Sequence, residues 1–311
     1  MNASMDLGAN VARETELFEV HPVDEDVAVI RDIIFGVADN RALYADLFTP
    51  ENTPKRPRPA VVFLHGGCWR FGNKNQFSRQ ASLLAKTHGI LSLAVDYRLS
   101  EEAPFPAALQ DAKCAVRWLR AHALTLSLDS RRIAMIGGSS GAHLAALAAA
   151  TDGIEDYEGD SGYQGISSSI DLAVLLNGEF DLIDLVSKGS LIEDMKIFLS
   201  STYQENPSIY EEASPLKRIH SSMPPIFLLH GDRDRCESFN QSVAMHEKLN
   251  KLGIHSELEI FQGKEHAWFN YDPDYDIVLN RIEAFLIKYL HLDSEHHKSS
   301  LKVRSDHNDV S

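Results

Sequence analysis

RRIAMIGGSSGAHLAALAAA, residues 131–150, decides the fold. An apolar run of strand character enters a cluster of small residues and leaves as an alanine-rich run of helical character. At the junction stands Gly137-Gly138-Ser139-Ser140-Gly141, a G-x-S-x-G. A sharp strand-to-helix turn needs small residues on both sides, so that chain and helix can pass closely, and it lifts the serine into the cleft in a strained backbone geometry. The helix that follows aims amide donors and its positive dipole end at the same place, favouring negative charge beside Ser139. A glycine-rich packing turn is the bland alternative. The strand, turn and helix setting favours a nucleophile.

On either side of this junction, short apolar runs alternate with helical segments. PAVVFLH (59–65), ILSLAVDY (90–97), IDLAVLLN (170–177), PIFLLHG (225–231) and HSELEIF (255–261) have the character of buried parallel strands. Between the second of these and RRIAMIG (131–137), Leu109, Ala112, Val116 and Leu119 recur at helical spacing just after Pro106, the pattern of a crossover helix. Upstream, VAVIRDIIF and RALYADLF flank GVADN and predict an antiparallel hairpin. The fold class is therefore α/β, a doubly wound, mostly parallel sheet with helices on both faces and its function at the strand C-termini. One stretch, residues 179–212, breaks the alternation and reads as a short helical lid, with an ordinary crossover helix and long loop as the alternative. Residues 1–25 read as an extension, 26–292 as the domain and 293–311 as a polar tail.

A serine hydroxyl needs a base, and on this topology an acid and then a histidine should follow it. FLLHGDRDR offers Asp232 and Asp234 just past a strand end, and ELEIFQGKEHAWF offers His266 after the next strand. His143, His246 and His255 lie within helical or strand patterns and fit less well. His65-Gly66-Gly67-Cys68-Trp69 follows the strand VVFL, and its glycine pair lets the backbone turn toward Ser139 with exposed amides. Gly66, Gly67, Cys68 and Ser140 are the candidate oxyanion donors, and His65 is expected to brace the loop. Trp69, Trp268 and the lid residues Met195 and Phe198 are candidates for a compact, partly aromatic pocket.

Composition narrows the partners. Apolar residues make 44% and charged residues 24% of 311, which fits a globular chain and excludes collagen, disordered and disulfide-scaffold classes. The net charge of −15 repels phosphate backbones and anionic lipid, so neither nucleic acid nor membrane is an expected partner. Three scattered cysteines, with no CxxC and no basic-then-apolar leader, predict reduced thiols and a cytoplasmic location. No ligand set has metal spacing, so neither metal nor cofactor is expected. Oligomeric state stays open.

Together, HGGCWRFGNK (65–74), DYRLSEEAPFPAALQDAKCAVRWLR (96–120), RRIAMIGGSSGAHLAA (131–146), ENPSIYEEASPL (205–216), HGDRD (230–234) and GKEHAWF (263–269) make the chain resemble an α/β-hydrolase. The branch it resembles holds the bacterial feruloyl and acetyl esterases, near the hormone-sensitive-lipase-like carboxylesterases. The resemblance implies nucleophile Ser139, acid Asp234 and base His266, and it favours Asp234 over Asp232 because the acid lies three residues beyond the strand-end Gly231. It treats the Asp96-Tyr97-Arg98 triplet as a structural turn. This chain departs from the family at Cys68, where a third glycine is usual, at Arg235-Cys236-Glu237, where a Val-Pro pair is common, and at Gly141-Ala142, where Gly-Gly is frequent. The expected activity is cofactor-free hydrolysis of small-molecule esters with short or aryl acyl groups, among them acetyl and feruloyl esters. Two other readings use the same scaffold: an amide hydrolase resembling the arylformamidases, and a non-catalytic binding protein.

Overall fold

The computed structural model describes residues 18–51 and 56–292, so residues 1–17 of the expected extension and the expected tail lie outside the described residues. Eight strands form one sheet in the order β1-β2-β4-β3-β5-β6-β7-β8. They are β1 (Val27–Ala38), β2 (Arg41–Pro50), β3 (Arg58–Leu64), β4 (Leu91–Val95), β5 (Leu128–Gly138), β6 (Leu172–Leu176), β7 (Ile226–Gly231) and β8 (Ser256–Phe261). The β1/β2 and β2/β4 pairs are antiparallel, and β4 through β8 run parallel. The sheet is thus doubly wound and mostly parallel, an α/β-hydrolase fold.

Side-chain alternation places the core on both faces. On β3, Ala60, Val62 and Leu64 join one buried cluster while Val61 and Phe63 join the other. The first cluster is closed by α2 (Ala107–Ala121) and α3 (Ser140–Ala150), the second by α1 (Ser78–His88) and α8 (Asp274–Tyr289). Leu109, Ala112, Val116 and Leu119, the stripe on α2, are all fully buried, and each such aliphatic side chain contributes about 1.5–3 kcal/mol for Leu or Val.

The opening hairpin is tighter than GVADN suggested. Gly36, Val37 and Ala38 still pair with β2, beyond a register shift after Ile34, and only Asp39 and Asn40 turn the chain. Both have positive φ, 48° and 63°, as a two-residue hairpin turn of matching twist requires. Between β6 and β7 lie three short helices, α4 (Leu182–Lys188), α5 (Ile192–Leu199) and α6 (Pro207–Glu212). α7 (Asn240–Lys251) links β7 to β8. Arg98 is nearly buried and clasps Asp111 through two guanidinium nitrogens, Nε and Nη2, each 2.9 Å from a carboxylate oxygen, so it pins the turn after β4 to α2. Among the described residues no helix is long and apolar enough to cross a membrane.

Candidate active site

Ser139 sits at the C-terminal end of β5 with φ 54° and ψ −128°, far from the regions L residues prefer. Such a conformation costs of order 1–3 kcal/mol and persists only where its surroundings over-determine it. Here they do. The Ser139 amide donates to Leu176 O at 2.9 Å, and its carbonyl accepts from Ala142 and His143 at 2.8 and 3.1 Å. A Cβ on Gly137 would lie 2.2 Å from Gly141 C, and one on Gly141 would lie 2.1 Å from Leu64 O. The glycines of G-x-S-x-G are therefore required by the close passage of α3 over β3 and β5.

The loop after β3 packs against this elbow. A Cβ on Gly66 would lie 2.9 Å from Gly138 O and 3.2 Å from Ser139 Cβ. Gly67, Cys68 and Trp69 follow with φ of 121°, 53° and 61°, three left-handed residues in succession. Cys68 thus holds a conformation in which glycine is unstrained, at the cost of some strain. Among the described residues the amides of Gly67 and Cys68 donate to no acceptor, whereas Gly66 N donates to Gln76 Oε1 at 2.6 Å. Of the expected oxyanion donors Gly66 is therefore excluded, because the buried Gln76 side chain already takes its proton. Ser140, first residue of α3, carries an amide with no acceptor one helical turn back. His65 braces the loop: Nδ1–H donates to Gly66 O at 2.9 Å, and its ring stacks on Tyr97 at 4.1 Å. Burial lowers its pKa, so it is held neutral. Burial and the Glu179 carboxyl push the Cys68 thiol far up, which makes it a poor nucleophile.

On the other side, His266 Nδ1–H donates to Asp234 Oδ2 at 2.7 Å. The other carboxylate oxygen of Asp234 accepts from the amides of Cys236 and Glu237 at 2.9 and 3.0 Å. Burial opposes ionisation of Asp234, but His230 at 3.3 Å and His266 outweigh it and hold the carboxyl well below the usual range. Asp232 instead accepts from Gly263 N at 2.6 Å and caps the neighbouring loop. Sequence reasoning missed four residues here. Asn177 Nδ2 lies 3.1 Å from both ring nitrogens of His266, and His230 backs Asp234 from within β7. Glu237 Oε2 lies 2.9 Å from His266 Nδ1. Glu179 Oε1 accepts from Ser139 Oγ at 3.3 Å, so among the described residues the hydroxyl is engaged by Glu179 and not by His266. The departure at Arg235-Cys236-Glu237 was the available signal for Glu237. Glu179 gave none.

Trp69, Met195, Phe198 and Trp268, expected at the pocket, are buried in packing instead. Trp69 stacks on Phe198 at 4.5 Å and donates from Nε1 to His143 Nδ1 at 3.1 Å, while His143 Nε2–H donates to Ala213 O at 2.7 Å. This contact docks α5 on the loop after β3, and burial holds His143 down at about 4, neutral and structural. Trp268 packs against Phe261 and Phe269 on the opposite face of the sheet. Asp234, Cys236 and His266 each bring a possible metal-ligand atom within 4.8 Å of the others. Asp234 and His266 are engaged with each other, however, and burial pushes the Cys236 thiol up to about 11, so the group fits an acid and base pair better than a metal centre.

The BD-FAE family model matches residues 45–249, and that of the dienelactone hydrolase family matches residues 207–292. The chain belongs to the BD-FAE family. This BD-FAE protein is 27% identical over 225 residues to Esterase LipC of Mycobacterium tuberculosis, matching 71% of this chain and 55% of LipC. It is 31% identical over 257 residues to a probable isoprenylcysteine alpha-carbonyl methylesterase, ICMEL1, of Arabidopsis thaliana, covering 79% of this chain and 52% of that protein. The chain spans about half the length of the curated relatives it matches. Among solved structures, the thermophilic esterase Est2 of Thermogutta terrifontis with propionate bound superposes with TM-score 0.71 at 29% identity, over 85% of this chain and 94% of Est2. The α/β-hydrolase resemblance carried by the motifs is borne out.

Proposed function

We propose that this BD-FAE protein is a serine carboxylester hydrolase. In this reading Ser139 is the nucleophile, His266 the base and Asp234 the acid, and the substrate is a small ester with a short or aryl acyl group. The observation that carries it is the 2.7 Å bond from His266 Nδ1 to a buried Asp234, together with an elbow serine whose neighbouring Gly67 and Cys68 amides donate to no acceptor among the described residues. The similarity to esterases, one of them solved with propionate bound, supports the same reading.

The chemistry follows from the geometry. Asp234 fixes the tautomer, with the proton on Nδ1, so Nε2 is the basic nitrogen. When an ester carbonyl approaches, the Ser139 hydroxyl turns from Glu179, gives its proton to Nε2 and attacks the carbonyl carbon. The oxyanion then forms against the amides of Gly67, Cys68 and Ser140, each such donor contributing ~10²–10³ in rate. His266 returns the proton to the leaving alkoxide, the alcohol departs, and water repeats the sequence to release the acid. The strained elbow keeps Ser139 poised at the helix N-terminus, where developing negative charge is favoured.

Hydrolysis of nitrophenyl esters from C2 to C16 by the wild type and by Ser139→Ala tests the proposal. Turnover should peak at C2 to C4 and fall by ~10⁴-fold or more in the variant. Wild-type activity in Ser139→Ala would refute the nucleophile, and a peak at C12 or longer would refute the acyl preference.

A further inference from the structure

Glu179 and Glu237 are buried carboxyl groups that the reading of Ser139, His266 and Asp234 does not use. Both are fully or almost fully buried, at 0% and 1% exposure, and among the described residues neither pairs with a lysine or arginine. Glu179 Oε2 and Glu237 Oε2 each lack a hydrogen-bond donor, although the two carboxyl groups are themselves hydrogen-bond neighbours. Two buried carboxyl groups in hydrogen-bond contact do not both ionise, so the pair holds one proton. Each carboxyl group also reaches one of the two reacting side chains. Glu179 Oε1 takes the Ser139 hydroxyl at 3.3 Å, and Glu237 Oε2 lies 2.9 Å from His266 Nδ1. The Nδ1–H bond itself is aimed at Asp234, so Glu237 adds charge to the imidazole without accepting its proton.

We propose that Glu179 and Glu237 are positioning residues, a proton-sharing carboxyl pair that joins the Ser139 hydroxyl to His266 Nδ1 and gives the imidazole a second acid beside Asp234. The inference rests on the reading of Ser139 and His266 as nucleophile and base. Burial together with the charge of Glu237 holds Glu179 well above the carboxylate range, which places the shared proton on the Ser139 side of the pair. Burial alone would lower His266, but Glu237 and Asp234 raise it well above its usual value. The other titratable groups facing this cluster are His230 behind Asp234, Tyr97, and the thiols of Cys68 and Cys236.

Profiles of kcat/KM against pH for a nitrophenyl butyrate test the pair, using Ser139→Ala, Asp234→Asn, Glu237→Gln, Glu179→Gln and the double variant Asp234→Asn/Glu237→Gln. Where a lone acid serves the histidine, its Asn substitution costs ~10⁴-fold. With Glu237 as second acid, Asp234→Asn should lose no more than ~10²-fold and the double variant ~10⁴-fold. The acid limb should move to lower pH in Glu237→Gln, which removes a negative charge from Nδ1. It should stay in place in Glu179→Gln, whose neutral amide stands in for the proton-bearing Glu179 carboxyl beside Glu237. Glu237→Asp, which keeps the charge, should restore the limb. A merely structural role would lower stability and leave the limb in place in Glu237→Gln as well. Equal losses in Asp234→Asn and the double variant, a Glu237→Gln limb that stays put, or a Glu179→Gln limb that moves with it would overturn the pair while Ser139→Ala remained inactive. If Glu237→Gln does not fold, Asp234→Asn decides alone, a ~10⁴-fold loss there overturning the second acid. An active Ser139→Ala would overturn the underlying site reading as well.

Discussion

Gly66→Ala separates the two roles that glycine has in the loop after β3, backbone freedom and close approach. Gly66 does not have positive φ, so alanine suits its backbone, and only the contact matters. The new Cβ would lie 2.9 Å from Gly138 O and 3.2 Å from Ser139 Cβ, where ordinary contact begins near 3.4 Å. Loop and elbow must therefore separate by about half an ångström, and both neighbours are held by β5 and the Leu176 O bond and cannot rotate away. The stability cost of such overpacking is about 1–3 kcal/mol. A displacement of ~1 Å at a reacting centre costs ~10²-fold, so half of it should lower kcat by about 10-fold through the Gly67 and Cys68 amides. The loss should fall on kcat more than on KM, because those amides serve the oxyanion and not the bound ester. Steady-state kinetics on a nitrophenyl acetate, paired with a thermal melt, reads both quantities. A variant that melts lower but keeps wild-type kcat would refute the claim that this contact sets the oxyanion geometry.

Because Asp234 and Glu237 hold His266 well above 6.5, and the base must be neutral to accept a proton, kcat/KM should rise with pH through a value above 6.5. A limb at or below 6.5 in a pH profile would contradict that environment. Trp69→Ala removes the Phe198 stack and the His143 bond, and should cost about 3–5 kcal/mol in denaturant unfolding together with activity. Asp232→Asn keeps an acceptor for Gly263 N and should leave activity within a few-fold of wild type, in contrast to Asp234→Asn.

The strands, the crossover helix and the elbow were legible because each is written in a contiguous stretch whose periodicity or glycine spacing acts locally. RRIAMIGGSSG needed no partner to announce a sharp turn, and Leu109, Ala112, Val116 and Leu119 needed only helical spacing. The places of Ser139, Asp234 and His266 were legible for a second reason, since each follows the C-terminal end of a strand, β5, β7 or β8, and the alternation fixes where those ends fall. What stayed hidden depends on side chains meeting across long separations. Gln76 accepting from Gly66 N, and Glu179 meeting Glu237, are pairings that no local pattern encodes. Glu179 was further masked by its place, three residues past β6 and at the edge of a segment that reads as a lid.

The aromatic residues near the site show how packing and chemistry share one loop. A bulky ring beside an exposed glycine turn looks like a pocket wall, yet Trp69 is itself left-handed, as is Cys68, and each non-glycine residue there carries roughly 1–3 kcal/mol of strain. That strain needs an offset in the folded state. A fully buried Trp69, stacked on Phe198 and bonded to His143, supplies stabilisation of similar size, ~3–5 kcal/mol. The Arg70–Asp194 ion pair at 2.9 Å ties the same loop to α5 a second time. The backbone geometry of Gly67 and Cys68 is therefore tied to α5, and in the proposed reaction that helix would act on the oxyanion by holding this loop.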